Sequence, residues 1–148
     1  MLPRVILATG FKLRQDRGAN LIEVWLEGSG AKPERVSVDP TLLRANLQVL
    51  KQYVTGLAGD PDEGSVREDI ALSETLTFSN IIHFSQMTGR AETIFGLFSF
   101  SDWVEAARES DSLKVPEVQS IDQVVAISSA GLQKKLILEL IQLIGTNA

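Results

Sequence analysis

The stretch Leu132–Ile144, LQKKLILELIQLI, constrains the fold of this chain more than any other. At 3.6 residues per turn, Leu132, Leu136, Ile137, Leu138, Leu140, Ile141, Leu143 and Ile144 cover most of a helix circumference, and Lys135, Glu139 and Gln142 form its polar stripe. A helix apolar nearly all round has to be buried on several sides. It falls short of the roughly 20 residues that cross a bilayer. It is therefore expected to be a core or interface helix, stopped by Gly145. Leu136, Leu140 and Leu143 share one face and Ile137, Ile141 and Ile144 an adjoining one. A small domain seldom covers both. One face is expected to pack on its own domain and the other to meet a partner, which makes Leu136, Ile137, Leu140, Ile141 and Ile144 candidate interface residues.

A length of 148 residues suits one domain with a substantial core. Its first part, residues 1–58, reads as strands followed by a helix. Val5, Leu7, Phe11 and Leu13 alternate along one segment, and Ile22, Val24 and Leu26 along the next, with the turn residues Asp16 and Gly18 between them. GSGAKP then leads to a short strand, Arg35–Val38, completing an antiparallel meander. At Asp39–Pro40 the period changes from two to 3.6. Asp39 suits a helix cap and Pro40 its first position, and Leu43, Leu47, Leu50, Val54 and Leu57 give the helix a broad apolar face. The acidic stretch 59–69, GDPDEGSVRED, reads as an exposed loop.

Residues 70–148 read as mainly helical. Phe78, Ile81, Ile82 and Phe84 cluster on a segment ending at Gly89, and Ala91, Ile94, Phe95 and Phe98 follow helical spacing. Asp102 and Glu105 suggest a capped third helix. Ser120 and Gln123 have capping-box spacing for a further helix over Ile121–Ala130, with Gly131 dividing it from the terminal one. The expected class is α+β: a small N-terminal β-meander covered by a helix, then a mainly helical C-terminal half. No repeat is visible in the sequence.

The chemistry-bearing residues form no recognisable catalytic set. The chain has no cysteine, which removes disulfides, thiol nucleophiles and thiolate metal sites. Asp60, Asp62 and Gly64 resemble the start of a calcium loop, but its sixth and twelfth positions hold Ser65 and Ala71 instead of Gly and Glu. His83 is the single histidine, with no nucleophile or orienting carboxylate near it in sequence. GSGAKP lacks the residues of a phosphate loop. No cofactor or metal is expected. The formal charge of −5 argues against nucleic acid, and the short apolar run behind Pro3 and Arg4 makes a poor signal peptide. The expected location is the cytoplasm, away from membranes.

Two functional expectations remain. The first is a non-enzymatic assembly or adaptor subunit that self-associates, or docks another protein, through apolar helix faces. Trp25 joins its candidate interface residues, because alternation places it beside Glu23 and Glu27 on the polar strand face, exposed or at an interface. The alternative is a small ligand-sensing regulatory domain whose pocket would use His83, Phe95, Phe98 and Trp103.

Overall fold

The computed structural model describes residues 3–16, 18, 20–28, 32–63, 66, 70, 76–99 and 121–145. Seven strands, β1 (Arg4–Asp16), β2 (Leu21–Gly28), β3 (Glu34–Val38), β4 (Leu76–Ser79), β5 (Ile81–Met87), β6 (Arg90–Leu97) and β7 (Ile121–Ser128), form one mixed sheet in the order β4-β3-β2-β1-β7-β6-β5. Among the described residues the α-helices are α1 (Thr41–Ala45), α2 (Leu47–Thr55) and α3 (Ala130–Gly145). Asn80 alone separates β4 and β5, the two end strands, so the sheet curls until its ends share a corner there. Asp39 N–H donates to the Ser79 carbonyl at 2.9 Å and Asn80 N–H to the Gly96 carbonyl at 3.0 Å, tying both sides of that corner.

The register reveals a repeat that the sequence hides. In each half a long strand changes neighbours part-way along, a hairpin follows, a third strand completes an antiparallel meander, and helix comes next. β1 pairs in parallel with β7 over Arg4–Leu7 and then antiparallel with β2. Likewise β4 pairs in parallel with β3, and its continuation β5 antiparallel with β6. The pair Phe11–Leu26 has its counterpart in Ile82–Phe95, and Leu13–Val24 in Phe84–Thr93.

At both switches the inward-facing parity slips by one residue. On β1 it runs Ile6, Ala8, then Phe11, with a register shift between Ala8 and Gly10. On β4–β5 it runs Thr77, Ser79, then Ile82. An extra residue at such a bulge sends every later side chain to the other face.

The inner face carries Ile6, Phe11, Ile22, Val24, Leu26, Val36 and Val38 from the first half and Ile82, Phe95, Val124 and Ala126 from the second. Leu43, Leu50 and Val54 of α1–α2, and Leu132, Leu136, Ile137, Leu140 and Ile144 of α3, complete the same core. Helix α2 packs on α3. The Asp39 carboxylate accepts the Thr41 N–H at 3.0 Å, starting α1, and Asn46 breaks the expected single helix into α1 and α2. Ser129 caps α3 through its hydroxyl, which accepts the Leu132 N–H at 3.1 Å. Gln133, buried in the first turn, donates to the carbonyls of Ser85 and Glu92 at 3.2 and 2.9 Å and so pins α3 to β5 and β6. Among the described residues no helix is long and apolar enough to cross a membrane.

The expected α+β division with a mainly helical C-terminal half is overturned: the protein is mainly β, and residues 76–79, 81–87, 90–97 and 121–128 are strands. β6 and β7 are apolar on both faces, with Ile94, Val125 and Ile127 outward, so apolar positions also fall at helical intervals. Their enrichment in Ile, Val and Thr belongs to strands. Gly89, expected to stop a helix, instead sits at φ +82° in the two-residue turn between β5 and β6. The predicted helix around Asp102 and Glu105 lies outside the described residues.

Candidate functional site

On the outer face of the first half, cross-strand register sets Lys12, Trp25 and Arg35 in one row and Arg14, Glu23 and Ser37 in the next. The Trp25 ring lies between the Lys12 ammonium, 5.3 Å from its centroid, and the Arg35 guanidinium at 5.4 Å. Its indole N–H donates to the Glu23 carboxylate at 3.1 Å, and Arg35 forms an ion pair with the same group. Burial raises the Glu23 pKa, but the hydrogen bonds from Arg35 and Trp25 and the charges of Arg35 and Arg14 outweigh it, leaving the carboxyl below its ordinary value. The expectation of an exposed Trp25 is corrected. It occupies the outer face beside Glu23 and Glu27, yet it is only 5% exposed because the cross-strand cations close over its ring.

The outer face of the second half is different. Val5 stands beside Val125, and Val125 beside Ile94; one step along, Leu7 stands beside Ile127. Val5 and Leu7 are 61% and 58% exposed, while Ile94, Val125 and Ile127 are half-buried. Glu92 and Arg90, paired at 3.4 Å, lie at the margin with His83 and Ser85. A contiguous apolar patch with a polar rim is an ordinary marker of an interaction surface.

A third feature lies where β3 leaves the sheet at Asp39–Pro40 and β5 runs on without a strand along that side. Helices α1 and α2 stand beside it, leaving a cleft of ≈ 280 Å³ lined by Leu42, Leu43, Val49, Leu50, Ile81, Ile82 and Phe84, with Asn46 and Tyr53 as its polar groups. The Tyr53 hydroxyl donates to the Phe84 carbonyl at 3.1 Å.

The chain matches no family model, no curated protein and no solved structure. Among the described residues, no group of three or more His, Asp or Glu side chains converges as a metal site.

The candidate residues on α3 are not free to meet a partner. Ile137 and Leu140 are fully buried, Leu136 and Ile144 nearly so, and Ile141 packs against the same core. The curled sheet and α2 cover the Leu and Ile faces together, which a flat layer could not do. Nor do His83, Phe95 and Phe98 form a pocket. His83 is exposed on the outer face, Phe95 is buried on the inner one, and Phe98 meets Asn80 through its backbone. Trp103 lies outside the described residues. Reading Val5 and Leu7 on the same face as Phe11 and Leu13 missed the exposed patch. Gly10 was the available signal, since a glycine inside a strand pattern marks a bulge.

Proposed function

We propose that this protein is a non-enzymatic assembly subunit that pairs with a second copy of itself through the outer face of β1, β7 and β6. The exposure of Val5 and Leu7, on the β1 side of a five-residue apolar patch centred on β7, supports the reading. Sheet faces stack about 10 Å apart, and a two-fold arrangement lets the same patch serve both copies. Burying a side chain such as Val or Leu contributes on the order of 1.5–3 kcal/mol when complete, against an association cost of about 4–15 kcal/mol. The two contributions are of similar size, so pairing through this patch is expected to be reversible and concentration-dependent. The charge of −5 on each copy opposes pairing and is screened beyond about 8 Å at physiological salt, so added salt strengthens association. The cytoplasm is the compartment of this reading, with which the cysteine-free sequence is compatible.

Light scattering on the wild type and on a Val5→Lys/Leu7→Lys variant tests the proposal. The wild type gives a dimer mass at tens of micromolar and the variant a monomer with unchanged thermal stability. A wild type that stays monomeric at that concentration refutes the reading.

A further inference from the structure

We infer that the cleft between α1–α2 and β5 is a binding site for a small, neutral, largely apolar molecule carrying one hydrogen-bond donor. Charge makes the first argument. Of the nine residues lining the cleft, seven are Leu, Ile, Val or Phe and the others are Asn46 and Tyr53, in a chain where 22% of residues are charged. An ionised ligand would lose its hydration there without gaining a counter-charge.

The internal repeat supplies the second argument. Where β7 leaves the sheet, β1 runs on beside α3 as β5 runs on beside α1 and α2. The cleft at that equivalent place is lined by Leu13, Leu143, Glu139 and Gln142. One of two topologically equivalent clefts thus has an almost wholly apolar lining and the other carries a carboxylate and an amide.

Size and polarity narrow the ligand. An apolar cavity of about 150 Å³ accepts benzene, so ≈ 280 Å³ suits a two-ring aromatic or alicyclic molecule. The Asn46 Nδ2 donates to the Leu42 carbonyl at 2.9 Å, and the Asn46 Oδ1 accepts no hydrogen bond from a described residue. That oxygen would receive a ligand hydroxyl or N–H. The mouth of the cleft is formed by Val49, 64% exposed, and Tyr53, 39% exposed, so variants at Val49 leave the core intact.

Naphthol and naphthoate, which share a ring system and differ in charge, are the probes, titrated by calorimetry against the full chain. Naphthol binds saturably to the wild type and naphthoate at least about tenfold more weakly. In Val49→Lys, naphthol weakens and naphthoate gains, a reversal that a merely unfolded variant cannot produce. Failure of naphthol to saturate, equal binding of the two probes to the wild type, or a Val49→Lys variant that leaves both affinities unchanged overturns the inference.

Discussion

The Asn80 side chain exchanges two hydrogen bonds with the backbone of Phe98, donating to its carbonyl and accepting its N–H, both at 2.7 Å. An amide side chain here takes the place of a strand neighbour at the corner where the sheet's two ends meet. Asn80→Ala removes both bonds and leaves the Phe98 groups part-buried without them. The expected loss is about 1–3 kcal/mol, read as a lower urea midpoint with an unchanged slope. An unchanged midpoint would show that the corner is held by the flanking ladders alone.

Trp25 is expected to behave as a core residue although it sits on the outer face. Trp25→Ala should cost roughly 3–5 kcal/mol. Trp25→Phe, which keeps an aromatic ring between Lys12 and Arg35 but loses the N–H to Glu23, should cost less. Equal stability of wild type and Trp25→Ala in chemical denaturation would contradict the packing described.

Glu23 makes the stability of the protein sensitive to acid. Its folded-state pKa is depressed, so its stabilising contribution is present above the unfolded value of about 4.3 and is lost as pH falls from there through the folded pKa. Glu23→Gln should flatten the dependence of stability on pH below about 4.3. It should also lower stability at neutral pH by about 1.5–3 kcal/mol, the contribution of hydrogen bonds to a charged group. A variant with the wild-type acid profile would remove Glu23 from the account.

Gly59 lies at φ +102°, and a Cβ there would stand 2.6 Å from the Ala130 carbonyl carbon and the Gly131 nitrogen. Both atoms belong to the backbone opening α3 and cannot swing away. Gly59→Ala is expected to cost at least about 1–3 kcal/mol, measured as a fall in Tm. A neutral effect would mean that the chain before α3 can shift freely.

The sequence made the first half legible because Ile22, Val24 and Leu26 alternate with Glu23 and Glu27, and because Asp39–Pro40 marks the passage from strand to helix. It concealed the second half because β6 and β7 carry apolar residues on both faces, which obscures period two. The terminal helix was legible as a helix and as a buried one. Its burial within a single chain was not, since that depends on a sheet curled at the β1 bulge and at the Asn80 corner. One of these is signalled by Gly10; the other is set by Asn80, whose role rests on the distant Phe98. The exposed patch stayed hidden for the same reason: the bulge after Ala8 reverses the faces of Val5 and Leu7 relative to Phe11.

A methyl NMR dilution series on the wild-type protein, from hundreds of micromolar to a few micromolar, tests whether two copies pair. Pairing through the outer face predicts concentration-dependent shifts at Val5, Leu7, Ile94, Val125 and Ile127, with the core methyls of Leu50, Ile137 and Leu140 unmoved. Shifts confined to the α3 residues Leu138, Ile141 and Leu143, or no shift anywhere across the series, would contradict it.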